Sequence, residues 1–69
     1  MQVILSPSSS IKEAEYVGNT LTLQFQSGQV YQYDNVPVGM VAGMSASPSA
    51  GQFFHRHLRN RFPYRKISE

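Results

Sequence analysis

The order of residue types along this chain predicts an α+β domain: a three-stranded antiparallel β-meander with two short α-helices packed on one face. Three observations carry that reading. Thr20 to Gln26 alternates apolar and polar residues, as a half-buried strand does. A bend at Ser27-Gly28 leads from it into Val30-Tyr31-Gln32-Tyr33-Asp34, a second β-rich stretch. Beyond Val36-Pro37 apolar residues recur at helical spacing, and each of two helical stretches opens on a proline.

Size and composition bound the rest. The 69 residues suffice for one domain with one small core. No cysteine is present, so neither a disulfide nor a thiolate metal site can staple the fold, and a cytoplasmic setting is expected. Mean hydropathy is -0.32, and no apolar run approaches the ~20 residues that span a bilayer, so no membrane partner is expected. Met1-Gln2-Val3-Ile4-Leu5 is too short, and lacks the basic start, for a secretory signal. The net charge is +2, but the charges are segregated. Between Asp34 and Glu69 there is no carboxylate side chain, and five of the six basic residues lie there. Such clustering favours an anionic partner, nucleic acid or an acidic protein surface; the plainer alternative is a solvated helix face.

Taken in order, residues 1–10 pass from Val3-Ile4-Leu5 into a serine-rich run, and are expected to be irregular or to form an edge strand. Ile11 to Val17 reads as the first strand. Its inward candidates Ile11, Ala14 and Tyr16 do not share one parity, which points to a bulge. Gly18-Asn19 is the turn into the second strand. In that strand Leu21, Leu23 and Phe25 point one way, and Thr20, Thr22, Gln24 and Gln26 the other. A two-residue Ser27-Gly28 loop would need positive φ at serine. A three-residue loop, Gln26-Ser27-Gly28, needs it only at glycine. The second option pairs Phe25 with Gln29, Leu23 with Tyr31 and Leu21 with Tyr33, so both tyrosines fall on the apolar face. A slip of one residue would reverse this.

Pro37 to Ala46 reads as a first helix, with Met40, Val41 and Met44 on one side and Gly39 and Gly43 as weak points. Ser47-Pro48 starts a second helix running to about Asn60, with Ser47 as N-cap. At 100° per residue, Ala50, Phe53, Phe54, His57, Leu58 and Arg61 gather on one side, and Gln52, His55, Arg56 and Arg59 on the other. Phe62-Pro63-Tyr64 then acts as a tether, and residues 65–69 form a short basic tail, extended or frayed.

These residues resemble the KTSC domain family, a short module at the C-terminus of some lysyl-tRNA synthetases that also occurs alone in bacterial and phage proteins. The resemblance covers roughly residues 9–64. It lies in Ser9-Ser10-Ile11 with Tyr16, in Leu21-x-Leu23-x-Phe25-x-x-Gly28-x-x-Tyr31-x-Tyr33, and in Val36-Pro37. It continues through Ser47-Pro48-Ser49-x-Gly51-x-Phe53-Phe54 and Phe62-Pro63-Tyr64. Ser10 directly precedes Ile11 where the family usually has one more residue. Ala14-Glu15 stands where it tends to have an apolar residue and glycine, and Ala50 replaces a frequent lysine. The resemblance implies a single domain over residues 11–64 of a family with no established activity, for which RNA binding is the usual suggestion by association with a tRNA synthetase.

No catalytic group is expected. The serines at 6, 8, 9 and 10 form a low-complexity run rather than a nucleophile on a strained turn. His55 and His57 sit two apart on a helix and point in opposing directions, so they cannot chelate one metal ion. His57 is expected to be half-buried and His55 solvated. Neither a metal nor another cofactor is implied. Tyr31 and Tyr33 could stack on unpaired bases, but the preferred register turns them inward, with Phe25 and Phe54, as core aromatics. The candidate binding strip is Arg56, Arg59, Arg65 and Lys66, with His55 beside it; arginine forks suit phosphate oxygens. Arg61 is expected nearer the apolar side. The function this supports is a small non-catalytic module binding RNA through a basic helix face. The alternative is a protein-interaction module that offers the strip to an acidic partner or its sheet edge to another strand.

Overall fold

The structure, a computed structural model, describes residues 2–5 and 10–67. The serine run at Ser6, Ser8 and Ser9 and the terminal Glu69 fall outside the described residues. Five strands form one antiparallel meander in chain order: β1 (Gln2–Val3), β2 (Ile11–Val17), β3 (Thr20–Phe25), β4 (Val30–Tyr33) and β5 (Tyr64–Lys66). The central three are those expected from alternation. The expectation of three strands is corrected by β5, which resolves the extended-or-frayed alternative for Arg65 and Lys66 in favour of extended. Tyr64 pairs with Tyr33, Arg65 with Gln32 and Lys66 with Tyr31. Hydrogen bonds from the Asp34 N–H to the Pro63 carbonyl (2.8 Å) and from the Ile67 N–H to the Val30 carbonyl (2.9 Å) extend that pairing. Three residues are too few for alternation to stand out, and β4 offered an unpaired backbone edge that had to be satisfied somewhere. At the other edge Gln2 pairs with Glu15 and Val3 with Ala14.

The turn chemistry decides the registers. Gly18 takes φ +60° in the β2–β3 hairpin. Gly28 takes φ +97°, the Phe25 N–H reaches the Gln29 carbonyl at 2.8 Å, and the Gly28 N–H returns to the Phe25 carbonyl at 2.9 Å. This is the three-residue loop, and it places Leu21 opposite Tyr33 and Leu23 opposite Tyr31. In β2 the pairing jumps from Ile11↔Phe25 to Glu13↔Gln24, so Lys12 is the extra residue of a bulge. The bulge lets Ile11, Ala14 and Tyr16 all face inward, and all three are buried.

The sheet therefore has two unlike faces. One row across the strands reads Val3, Ala14, Leu23, Tyr31, Lys66, and lies on the side covered by helices. The neighbouring row, Gln2, Glu15, Thr22, Gln32, Arg65, lies on the open side.

Helix α1 (Val38–Ala46) follows Pro37, which sits just before the first turn, and buries Val41 and Met44. At Gly43 a Cβ would fall 2.8 Å from Cζ of Phe53, so the missing side chain is what lets the second helix pack there. That second helix, α2, is shorter than expected: Ala50–Phe53 in α form and Phe54–Leu58 as a π-turn. Its N-cap is Ser49 rather than Ser47, the Ser49 hydroxyl accepting from the Gln52 N–H at 3.3 Å. Ser47 instead accepts from the Ser49 N–H at 3.2 Å, turning the chain through Pro48. The π-turn closes through the Arg59 N–H to the Phe54 carbonyl at 2.9 Å. Its wider winding turns each residue through less than 100°. Leu58 thereby comes beneath Phe54 and is fully buried, whereas His57 falls short of the apolar side and is exposed against the Phe53 ring. Arg61 lies past the helix end and is exposed too. These two placements correct the 100° projection. Among the described residues no helix is long and apolar enough to cross a membrane.

The core lies between sheet and helices, with Leu21, Leu23, Val36, Met44 and Leu58 fully buried. The Tyr16 hydroxyl donates to the Val36 carbonyl, tying β2 to the segment that enters α1. Gly28→Ala places a Cβ at a φ that L-residues resist, and should lower stability by ~1–2 kcal/mol. Gly39→Ala meets no atom within 4 Å, and should raise stability by up to ~1 kcal/mol. Urea midpoints for the two variants check this; a neutral Gly28→Ala would contradict the register argument.

Candidate functional site

The helix-covered face leaves one end of the sheet open. There a cleft of about 520 Å³ forms between β4, β5, the β3–β4 turn and the end of α2. Its interior is a continuous ring cluster. Phe25 meets Phe54 edge to face (centroids 5.5 Å, 69°), and Phe54 meets Tyr33 likewise (5.5 Å, 76°). Tyr33 stacks on Tyr64 (5.4 Å, 29°), and Tyr64 approaches Tyr31 at 5.9 Å. Each such pair adds about 0.5–1.5 kcal/mol beyond its area burial. Tyr33 and Phe54 are buried, as expected of core aromatics. Phe25 and Tyr31 are only half-buried, and their open edges line the cleft. Tyr64 is 55% exposed and caps the cluster.

The cationic wall comes from the helix end. His55 and Arg59 are one turn apart, and an Arg59 Nη1 lies 3.4 Å from His55 Nδ1. The π-turn and the following left-handed Asn60 (φ +64°) bend the chain sharply after Leu58, which sets Arg59 and Asn60 on the lip of the cleft. Among the described residues that line the cleft none is acidic.

The expected strip is thus divided. His55 and Arg59 are brought together at the cleft. Arg56 is exposed on the same helix but is not part of the lining. Lys66 shares the cleft's side of the sheet through its pairing with Tyr31. Arg65 does not join them: strand alternation turns it to the open face, where it donates from Nε to Gln32 Oε1 and from Nη1 to Asp34 Oδ2, both at 3.2 Å. Asp34 in turn accepts from Thr20, and Gln32 donates to Thr22, so Arg65 completes a polar network across that face. Its expected place in one strip with Arg56, Arg59 and Lys66 is corrected by the existence of β5. Tyr64 and Asn60 are cleft residues that the linear reading missed. The signal for Tyr64 was its β-prone aromatic side chain directly after Pro63, in a stretch that also holds the β-branched Ile67. The histidines contact different partners, His55 beside Arg59 and Phe54 and His57 on Phe53. No group of three or more His, Cys, Asp or Glu stands together among the described residues.

Burial pushes the Tyr33 phenol from its usual 10.0 up to about 12, aided by the Tyr64 and Tyr31 phenols and opposed by the nearby Arg59 guanidinium. A value raised in the folded state means that Tyr33 contributes its full stability below pH 10 and loses it as the pH rises through about 12. Tyr33→Phe should therefore show a shallower loss of stability across that alkaline window than the parent. Denaturant midpoints compared below pH 10 and near pH 12 measure it, and equal slopes would place the phenol in water.

The KTSC domain model matches residues 7–62. Over 68 residues the chain is 40% identical to a lysine–tRNA ligase of Trichormus variabilis and 37% identical to one of a Nostoc species. A third such ligase, from Nostoc punctiforme, is 35% identical. Each alignment takes in 94% of this chain and only 12% of the ligase, so the chain spans about an eighth of the relatives' length. The crystal structure of a KTSC domain protein from Yersinia pestis superposes with a TM-score of 0.87 at 31% identity, covering 99% of this chain and 97% of that one. That match extends to the edge strands as well as to the central hairpins, and with the family model across most of its length the chain belongs to the KTSC domain family.

Proposed function

We propose that this module binds single-stranded nucleic acid, RNA foremost, on the side of the sheet that carries the aromatic cleft. One observation carries the reading: exposed and half-exposed tyrosine rings stand beside Arg59 and His55 in a cleft whose described lining residues include no carboxylate. Unpaired bases stack on such rings at ~1–3 kcal/mol each, and guanidinium forks hold phosphate oxygens. Lys66 and Arg56 form no ion pair among the described residues; both are exposed, and Lys66 shares the cleft's side of the sheet. Arg65 is not among the binding groups, because Asp34 already holds it on the other face. Binding of this kind is led by the phosphate backbone and is non-catalytic. A chain free of cysteine suits a cytoplasmic site for it. The relatives add a circumstantial support: by name they are ligases that join lysine to tRNA, and they carry a stretch similar to this one.

The second reading, a protein-interaction module, has its own observation. The outermost strand β5 is exposed at all three residues and has one free edge in the sheet order, where an extended segment could add.

Titration of isotope-labelled protein with mixed RNA and with single-stranded DNA, at low and moderate salt, decides between them. The expected result is shifts at Tyr31, His55, Arg59, Tyr64 and Lys66 that fade with salt, the logarithm of affinity falling by roughly 0.7 per phosphate contact for each tenfold rise in salt. Arg59→Gln and Lys66→Gln should weaken binding and reduce that slope, while Arg65→Gln leaves both nearly unchanged. No shift at low salt would overturn the nucleic-acid reading and leave the β5 edge.

A further inference from the structure

Resting on the proposed nucleic-acid reading, we infer that the cleft is a single-nucleotide site: one unpaired nucleoside monophosphate unit enters it, the base against the tyrosines and the phosphate at Arg59. Three features argue for a unit of that size and chemistry. The volume, about 520 Å³, falls in the range of small-molecule pockets and accommodates one nucleotide unit. The chemistry is polarised along the cleft. Tyr31 and Tyr64 present ring surface at the β4–β5 side, and Arg59 with His55 stands at the helix side. Gln29 from the glycine turn and Asn60 from the helix end bring amide groups, each both donor and acceptor, to the rim. A nucleotide offers the same sequence of chemistries: a π-face, a hydrogen-bonding edge and an anion.

The arrangement is also held in place before any ligand arrives. Tyr64 is stacked on buried Tyr33, and Arg59 is held at its backbone by the π-turn, with its side chain 3.4 Å from His55. A preformed site loses less entropy on binding than a flexible basic tail would. Amides on the rim give the site some discrimination among bases, which a purely electrostatic strip lacks.

The test uses the whole chain and follows amide signals during titration with adenosine, cytidine, guanosine and uridine monophosphates. The nucleosides, inorganic phosphate and a short unstructured RNA serve as separate arms. The monophosphates are expected to shift Gln29, Tyr31, Arg59, Asn60 and Tyr64. Nucleoside or phosphate alone should bind more weakly by about tenfold at least. Arg59→Gln should cost the monophosphates about tenfold while leaving nucleoside affinity unchanged. Tyr64→Leu, checked for intact sheet signals, should weaken monophosphate and nucleoside alike. If the RNA shifts Arg56 and Lys66 but monophosphates leave the cleft signals still, the single-nucleotide site is overturned and the broader reading stands. If neither ligand shifts any signal, both fall. Phosphate shifting Arg59 as strongly as the monophosphates do would reduce the cleft to an anion site and overturn the inference as well.

Discussion

The bend at Gln26-Ser27-Gly28 determines which side of β4 meets the helices, and the cleft follows from that. Because Gly28 takes the positive φ, β3 and β4 pair with Leu23 opposite Tyr31 and Leu21 opposite Tyr33. A register one residue away would send both tyrosines to the open face and bring Gln32 against the helices. The ring cluster of Phe25, Tyr31, Tyr33, Phe54 and Tyr64 exists only in the observed pairing, and so does the buried phenol at its centre. The Lys12 bulge serves the same end on the neighbouring strand. Without it Ile11 could not share a face with Ala14 and Tyr16.

Given those registers, the two sheet faces take unlike roles. The open face is a polar network in which Thr20, Asp34, Arg65, Gln32 and Thr22 satisfy one another. An exposed pair such as Arg65 with Asp34 adds little stability, but it occupies a guanidinium that the chain order would have assigned to a partner. The helix side carries both the core and the cleft, and the cations facing it have no carboxylate among the cleft-lining residues described. Charge that is merely clustered in sequence thus becomes sorted in space: paired on one side, available on the other.

The helix end shows how a local deviation from regular winding matters to a site. A continuous α-helix through Asn60 would have set Arg56 and Arg59 on one solvated stripe and brought His57 towards the core. The π-turn over Phe54–Leu58 buries Phe54 and Leu58 together and ends the helix early. Arg59 then leaves the helix in extended backbone and lines the cleft beside the rings. The close approach of Phe53 to Gly43 anchors the other side of the same helix.

Residue order by itself determined the three central strands, the glycine loop, the bulge, the first helix and the inward turn of both tyrosines, since each follows from alternation or from the φ a turn demands. It also determined that cations gather late in the chain. Tertiary structure alone decided the remainder: that Tyr64–Lys66 joins the sheet, that Arg65 and Lys66 face opposite sides, and that His57 stands outside the core. Those outcomes depend on a partner edge distant in sequence and on a helical turn of π winding, and neither is encoded in the spacing of nearby residues. The cleft itself belongs to this second group. It is assembled from a turn, a helix end and an edge strand that meet only once the chain has folded.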